Sequence, residues 1–301
     1  MKAMILAAGL GTRLRPLTDT RPKALVEIAG RTLLEITLSR LRAFGITEVI
    51  INVHHFADQV IDYLKSNNNF GMRIEISREE VLLDTGGGLK KAAWFFLENS
   101  SPGNPSRPDS SQMDEPFLLH NVDVLSTIDF SRMLQFHKEH HALATLAVQA
   151  RETSRPLLFD DHLQLRSRRT SGTAPSGTAN RGCAPQMMTT HNPSGTTSPS
   201  VETPVSCHSE RSEESASSQS VANPSQQLQA LAFSGIHLIS PRLLPMLTEE
   251  GIFSIISAYL RLAAQGQPIL AFRADTYYWR DLGRPADLTQ AAHDLQRKIL
   301  L

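Results

Sequence analysis

The sequence predicts an α/β protein whose central sheet is mixed, mostly parallel and covered by helices on both faces. Three observations predict this fold class. Short apolar runs rich in β-branched residues alternate with runs of helical period through the first half of the chain. Such alternation is typical of βαβ units, which require a largely parallel sheet. The same kinds of run return after a 60-residue interruption, so the second half is expected to complete the same sheet.

The individual elements follow from local pattern. The run from Thr32 to Gly45 has apolar residues at helical spacing and a glycine suited to its C-terminal end, and Pro285 suits the start of the closing helix. The other predicted helices are ADQVIDYLK, GLKKAAWFFLEN, SRMLQFHKEHH and GIFSIISAYLRLAAQG. The predicted strands are MILAA, EVIINV, MRIEIS, PFLLHNVDV, ALATLAV, LQALAFSGIHLI, PILAFRA and TYYWRDLG.

Residues 168–227 differ in composition from the rest of the chain. Of these 60 residues, 31 are Ser, Thr, Pro or Gly, and none is Leu, Ile, Phe, Trp or Tyr. Such a segment buries too little apolar surface to offset the entropy of ordering it. We therefore expect a single domain formed by residues 1–167 and 228–301, with 168–227 as a disordered low-complexity insertion. The flanking segments HLQLR and LQALAFSGIHLI are expected to pair as an antiparallel hairpin, and residues 100–115 are expected to form a surface linker.

The charge balance restricts the kinds of partner. Lys plus Arg and Asp plus Glu both number 30, so a general nucleic-acid or membrane-surface binder is not expected. No apolar run is long enough to span a membrane, and the N-terminal residues lack a signal-peptide pattern, which predicts a cytoplasmic protein. Cys183 and Cys207 provide neither a disulfide framework nor zinc-site spacing. Because the formal net charge is zero, any anion-binding site must be a local concentration of positive charge.

The segment LAAGLGTRLRPLTDTRPKAL, residues 6–25, concentrates positive charge beside a glycine turn. Gly9 and Gly11 allow backbone N–H groups to approach a ligand closely, and the guanidinium of Arg13 can donate two parallel hydrogen bonds to phosphate oxygens. Lys23 follows Pro22, which restricts the backbone that carries the lysine. An ordinary strand-to-helix turn needs glycine but not these cations, so we predict a phosphate-binding loop. Arg15 and Arg21 are expected to lie on a solvated face.

The pattern L-A-A-G-x-G-T-R-L-x-P-x-T-x-x-x-P-K resembles the signature of the sugar-1-phosphate nucleotidyltransferases, also called NDP-sugar pyrophosphorylases, and implies their Rossmann-like fold. Further segments resemble the same family, in particular its N-acetylmuramate-1-phosphate uridylyltransferase and mannose-1-phosphate guanylyltransferase members. These segments are LLDTGGGLKKA, NVDV, FSGIH and WRDLGRP. The resemblance covers nearly all of the chain outside the insertion. It implies that an NTP and a sugar 1-phosphate are joined into an NDP-sugar with release of pyrophosphate.

The resemblance also implies residue roles. Arg13, Lys23 and Asp123 are expected to be catalytic, with Arg13 holding the pyrophosphate leaving group and Lys23 lying against the reacting phosphates. Asp123 and Asp281 are expected to hold Mg²⁺, which prefers carboxylate and phosphate oxygens. Asn121 and Gly235 are expected on the sugar side. The expected nucleotide-binding residues are Leu6, Ala7, Ala8, Gly9, Gly11, Thr12, Arg13, Lys23, Thr85, Gly86 and Gly87.

The chain departs from the family pattern in two places. Ala24 stands where the family usually has proline or glutamine, and no Glu-Lys-Pro segment supplies the lysine that holds the sugar phosphate. Arg151, Arg155 and Arg166 are candidates to replace that lysine. Two other activities are open at this level: cytidylyl transfer to phosphocholine, or a non-catalytic nucleotide-sugar sensor. Retention of all four charged site residues favours catalysis.

Two further groups of side chains are expected to have no role in the site. His137, His140 and His141 share helical spacing but have no Cys or Glu partners in the pattern, so they are expected to form a solvated helix face. The aromatic residues of WFF, residues 94–96, are expected in the core.

Overall fold

The computed structural model describes residues 1–97, 115–169 and 227–296. Within these ranges lie thirteen strands and seven α-helices. The strands are β1 (Ala3–Leu6), β2 (Glu27–Ile28), β3 (Arg31–Thr32), β4 (Glu48–Val53), β5 (Arg73–Arg78), β6 (Phe117–Asn121), β7 (Val124–Ser126), β8 (Ala144–Gln149), β9 (Leu157–Phe159), β10 (Leu165–Arg168), β11 (Gln229–Ile239), β12 (Ile269–Arg273) and β13 (Trp279–Asp281). The helices are α1 (Leu33–Ala43), α2 (Ala57–Ser66), α3 (Asp84–Lys91), α4 (Ala93–Leu97), α5 (Phe130–Glu139), α6 (Ile255–Ala264) and α7 (Pro285–Gln296).

Nine of the strands form one mixed sheet, which confirms the predicted fold class. The order along it is β10-β9-β11-β6-β1-β4-β5, and β8 pairs with both β11 and β12. Strands β5, β4, β1 and β6 run parallel to one another, and the long strand β11 pairs antiparallel with β6, β8 and β9. The carboxyl ends of the parallel strands therefore meet at one edge of the sheet.

The sheet has a hydrophobic core on each face, as the predicted helices on both sides require. Along β1, Ala3 and Ile5 pack into one core and Met4 into the other, because successive side chains of a strand point to opposite faces. The first core is covered by α1, α2, α5 and α7, and the second by α3, α4 and α6. Of the helices in the described part of the chain, none is long and apolar enough to cross a membrane.

Helix boundaries follow recognisable caps. Thr32 accepts a hydrogen bond from the backbone N–H of Glu35 at 3.0 Å and so begins α1, and Asp129 caps α5 through the N–H groups of Ser131 and Arg132. Both helices begin close to where the sequence pattern predicts.

The expected hairpin between HLQLR and LQALAFSGIHLI is wrong. Strand β9 lies between β10 and β11 and pairs antiparallel with both of them. Because β9 has only three residues, it has too little length to show a periodic pattern. Strand β10 also continues through Arg168, the first residue of the predicted insertion, and the N–H of Arg169 donates to the Pro156 carbonyl.

Most of the predicted insertion and of the predicted linker lies outside the described residues. The expected disorder of 168–227 therefore stays a prediction, as do the domain limits built on it. Cys183 and Cys207 fall in the same undescribed range.

Two expectations about side chains are wrong in part, since His140 and His141 are exposed as expected but His137 is not. His137 is buried rather than solvated, because its ring exchanges hydrogen bonds with the hydroxyls of Thr145 at 2.8 Å and Ser240 at 3.3 Å, which offset its burial. Trp94 is 45% exposed, whereas Phe95 and Phe96 are buried as expected. In both cases, helical spacing alone does not specify which side of a short helix meets the sheet.

Candidate functional site

A cavity of about 460 Å³ opens at the carboxyl ends of the parallel strands. This volume is within the range of small-molecule sites, and the position is where open α/β sheets bind ligands. Its lining residues are Leu6, Ala7, Ala8, Gly9, Gly11, Thr12, Arg13, Lys23, Asn52, Glu79, Leu82, Asp84, Thr85, Asn121, Val122, Asp123, Ile252 and Gly283. The structure thus brings together nearly all of the predicted nucleotide-binding residues.

The loop after β1 forms one wall of the cavity. Gly11 has a φ of 65°, and a Cβ there would lie 2.9 Å from Cγ2 of Thr18, whose hydroxyl donates to the Gly11 carbonyl at 2.9 Å. Gly11 is therefore required by the fold of the loop itself. A Cβ on Gly9, in contrast, would meet no atom within 4 Å. Since Gly9 lines the cavity, the space beside it is open to a ligand.

Lys23 and Asp123 form an ion pair inside the cavity. Lys23 begins a short 3-10 turn after the extended Pro22 and is 8% exposed, and its ammonium contacts Oδ2 of Asp123. Asp123 lies in the turn between β6 and β7. The pair places a buried positive charge next to a carboxylate at the strand ends, and an incoming phosphate would compete for that ammonium.

Asp281 and Arg13 lie beside this pair. Asp281 ends β13, which pairs with β7 in a separate two-stranded sheet, and the N–H of the next residue donates to the Asp123 carbonyl at 2.8 Å. Arg13 Nη2 is 3.8 Å from Oδ2 of Asp281. A Cβ on Gly283 would lie 2.6 Å from Nη2 of Arg13 and 2.9 Å from Oδ1 of Asp281, so a larger residue there would displace these side chains.

The environment of Asp281 is favourable for a cation. Burial and the negative charge of Asp123 raise the pKa of the Asp281 carboxyl, although Lys23 and Arg13 partly oppose the shift. Its Oδ1 atom is buried and has no hydrogen-bond partner among the described residues. Two adjacent carboxylates with an unsatisfied oxygen fit a hard divalent cation that takes its remaining ligands from phosphates and water.

Four predicted site residues do not line the cavity surface: Gly86, Gly87, Gly235 and Asp281. Gly235 has a φ of 72°, and a Cβ there would lie 2.9 Å from Nδ2 of Asn121. Gly235 thus makes room for Asn121, which does line the cavity.

The glycine run lies inside a helix. Gly86, Gly87 and Gly88 lie in the first turns of α3, which begins at Asp84, four residues before the predicted start. A Cβ on Gly86 would collide with the ring of Phe253, and one on Gly87 with the carbonyl oxygen of Gly251. Glycine disfavours helices by about 1 kcal/mol, but close packing of residues 251–253 requires it here.

Asn52 and Glu79 form a buried network that the sequence reasoning missed. Asn52 accepts from the N–H of Ala7 at 2.7 Å and donates to Oε1 of Glu79 at 2.8 Å, and Oε2 of Glu79 accepts from the N–H of Leu83 at 3.0 Å. The network joins the loop after β1 to the start of α3. Both side chains lie at the carboxyl ends of predicted strands, and that position was the available signal.

Five other lining residues were also missed. Gly283 belongs to the quoted motif WRDLGRP, and Leu82 and Asp84 belong to LLDTGGGLKKA, so motif position could have indicated all three. Val122 lies inside NVDV. Ile252 precedes a helix far along the chain, and no pattern in the sequence points to it.

The three candidate arginines have different surroundings. Arg166 pairs at 2.6 Å with the buried Asp160, which in turn organises the adjacent turn. Arg155 is exposed. The guanidinium of Arg151 stacks 3.7 Å from the ring centre of Trp279 and donates to the Phe233 carbonyl at 2.7 Å.

Arg151 also lies close enough to Asp281 to interact with it electrostatically. Burial lowers the pKa of Arg151, and the carboxylate of Asp281 partly restores it. Of the three arginines, Arg151 is thus the one associated with Asp281, although none of the three lines the cavity.

The sequence profile of the nucleotidyl transferase family matches residues 2–159, which is more than half of the chain, so the chain belongs to this family. It is 54% identical over 93 residues to an N-acetylmuramate alpha-1-phosphate uridylyltransferase from Caulobacter vibrioides, covering 30% of this chain and 38% of that protein. It is 34% identical over 155 residues to a UTP–glucose-1-phosphate uridylyltransferase from Synechocystis, covering 48% and 36%. A probable mannose-1-phosphate guanylyltransferase from Oryza sativa is 34% identical over 149 residues, covering 49% and 38%. The matched parts thus span little more than a third of each relative's length.

Solved structures show the same fold. A UDP-glucose pyrophosphorylase complexed with UDP-glucose superposes with a TM-score of 0.64 at 15% identity, covering 99% of this chain and 98% of that one. HddC from Yersinia pseudotuberculosis, complexed with GMP-PN, superposes with a TM-score of 0.58 at 18% identity, covering 98% and 99%. At this identity, the likeness concerns the fold.

Proposed function

We propose that this protein transfers a nucleotidyl group from an NTP to a sugar 1-phosphate, producing an NDP-sugar and pyrophosphate. The observation that supports the proposal best is the meeting of Arg13, Lys23, Asp123 and Asp281 at one edge of the sheet. The named relatives act on nucleotides and sugar 1-phosphates, which supports the same class of substrates.

The proposed reaction is an in-line displacement at the α-phosphorus. An oxygen of the sugar phosphate forms the new P–O bond while the bond to the pyrophosphate oxygen breaks. The nucleophile is already anionic, so no side chain has to remove a proton from it. The protein has to align two highly charged groups and neutralise their charge.

Each charged residue of the site has its own proposed role in aligning and neutralising the phosphates. Lys23 faces the reacting phosphates once it leaves Asp123, and Arg13, which is more exposed, holds the departing pyrophosphate. Asp123 and Asp281 would hold Mg²⁺, which supplies positive charge to the phosphate oxygens. Gly9 leaves open the space through which a phosphate reaches backbone N–H groups.

Arg151 is proposed to hold the phosphate of the sugar 1-phosphate. Its guanidinium is fixed by Trp279 and by the Phe233 carbonyl, in the segment that contains Gly235. A guanidinium that is already oriented loses little conformational freedom when it binds phosphate. Asn121 lies next to Gly235 and is proposed to contact the ribose or the sugar.

The test is pyrophosphate release from the purified protein with Mg²⁺, each of the four NTPs and a panel of sugar 1-phosphates, beginning with UTP and GTP because the relatives are named as uridylyl- and guanylyltransferases. Asp123→Asn and Asp281→Asn should abolish the Mg²⁺-dependent rate. Arg151→Ala should raise the KM for the sugar 1-phosphate more than that for the NTP. Absence of turnover with every pair, or a wild-type rate indifferent to Mg²⁺, would contradict the proposal.

A further inference from the structure

One residue of the cavity lining, Ile252, comes from the segment 251–255, which is far in sequence from the loop after β1 and from the start of α3. Ile252 is 63% exposed, and of the seven exposed large apolar side chains among the described residues it is the only one that lines the cavity. Val81 is similarly exposed, at 59%, but does not line the cavity. Ligand cavities are lined predominantly by apolar side chains that the bound molecule covers, so a ligand in this cavity would remove Ile252 from water.

The segment that carries Ile252 is held firmly to the start of α3. The N–H of Phe253 donates to the Leu83 carbonyl at 3.2 Å, and the N–H of Ile255 donates to the hydroxyl of Thr85 at 3.0 Å. In the reverse direction, the N–H groups of Gly86 and Gly87 donate to the Phe253 carbonyl at 2.9 and 3.3 Å.

These contacts involve N–H groups that the first turn of a helix usually leaves unsatisfied. The missing Cβ atoms of Gly86 and Gly87 make room for the ring of Phe253 and the carbonyl of Gly251. The position of Ile252 is therefore set by rigid packing, not by a free loop.

The position of Ile252 identifies the part of the ligand that it meets. The phosphate end of the cavity carries Lys23 and Asp123, whereas Ile252 is tethered beside Leu82 and Thr85 at the start of α3. Contact with a phosphate does not stabilise an aliphatic side chain, whereas contact with a planar heterocycle or a ribose ring removes its apolar surface from water.

We propose that Ile252 packs against the nucleoside of the bound NTP, and that Gly86 and Gly87 act by holding it there. This proposal rests on the proposed function for the identity of the ligand. An aliphatic contact does not read hydrogen-bond patterns, so Ile252 should contribute to the affinity for every NTP that binds rather than choose among the bases.

The test is direct binding by calorimetry, with the preferred NTP and with inorganic tripolyphosphate as probes. Ile252→Ser should weaken NTP binding about tenfold, since most of the apolar contact is lost, and should leave tripolyphosphate binding unchanged. Ile252→Leu should retain NTP affinity within about twofold, as should the matched control Val81→Ser. In the assay of turnover, Ile252→Ser should raise the KM for the NTP with little change in kcat.

Different failures have different meanings. Equal affinity of wild type and Ile252→Ser for the NTP would overturn the inference, as would a loss of tripolyphosphate affinity or a rise in KM confined to the sugar 1-phosphate. A wild-type protein that binds no NTP at all would instead contradict the proposed function.

Discussion

Removing the Glu79 carboxylate should both destabilise the protein and loosen the cavity that is proposed to bind the NTP. Glu79 is 2% exposed and accepts hydrogen bonds from Nδ2 of Asn52 and the N–H of Leu83. Glu79→Ala leaves both donors without their acceptor, and a buried donor left unsatisfied costs about 1–3 kcal/mol. Because the side chain borders an open cavity, water can reach one donor, and we expect a total loss of about 2–4 kcal/mol.

Glu79→Gln keeps the shape of the side chain but changes the hydrogen bonds that it can make. Its amide retains one acceptor but turns an NH₂ group towards one of the two donors, so about half of the loss is expected. The neighbouring Glu80 is exposed, and Glu80→Ala serves as the matched control, with an expected change below about 0.5 kcal/mol.

The measurement is the free energy of unfolding from urea titrations, followed by the KM for the NTP in each folded variant. Asn52 also fixes the N–H of Ala7 in the loop after β1, which is proposed to bind phosphate, so the KM should rise in Glu79→Ala even below its unfolding temperature. If Glu79→Ala and Glu80→Ala unfold at the same urea concentration with equal slopes, the network does not stabilise the fold and the reasoning is refuted.

Three further predictions concern the loop, the cations and a buried histidine. Arg13→Ala and Lys23→Ala should each slow turnover by at least ~10²-fold in a folded protein, whereas Arg15→Ala, which removes a cation paired with Asp19, should not; normal rates in the first two variants would exclude the assigned roles. Gly9→Ala should retain wild-type stability but weaken NTP binding, because a Cβ there would enter open space in the cavity. Gly11→Ala should lower the melting temperature because of its φ of 65° and its contact with Thr18. A lower melting temperature in Gly9→Ala than in Gly11→Ala would show that Gly9 is required by the fold and not by a ligand. Burial lowers the pKa of His137 to about 4. Between about pH 6.5 and 4, the unfolded chain therefore binds a proton at this residue that the folded chain does not. The free energy of unfolding should fall as the pH falls through that range, by up to about 1.4 kcal/mol per pH unit from this residue. His137→Gln should make this decline shallower, and an identical pH profile in the variant would contradict the assignment.

The fold class could be predicted from the sequence because the strands and helices of this sheet are long enough to show their periods. Strand β4 coincides with the predicted run EVIINV, and α1 begins at a threonine cap that the pattern contains. The short strand β9 and the pairing of β13 with β7 could not be predicted, since three residues show no period and pairing is a long-range contact.

The sequence by itself also placed together the glycines and cations that are proposed to bind phosphate. Gly9, Gly11, Arg13 and Lys23 lie within fifteen consecutive residues, so local order alone brings backbone N–H groups and cations together. Asp123 could be placed beside them because a strand that ends in polar residues delivers them to the same edge of a parallel sheet.

Only the tertiary structure decided how the opposite wall is made. The glycine run at 86–88 is helical because Phe253 and Gly251 pack where its Cβ atoms would be, and this packing brings Ile252 into the cavity from about 165 residues further along the chain. Likewise, Gly283 admits Arg13 beside Asp281, and Asn52 joins Ala7 to Glu79. Such contacts depend on how closely distant backbones approach one another, and that distance is set by the packing of the whole sheet, which no local pattern records.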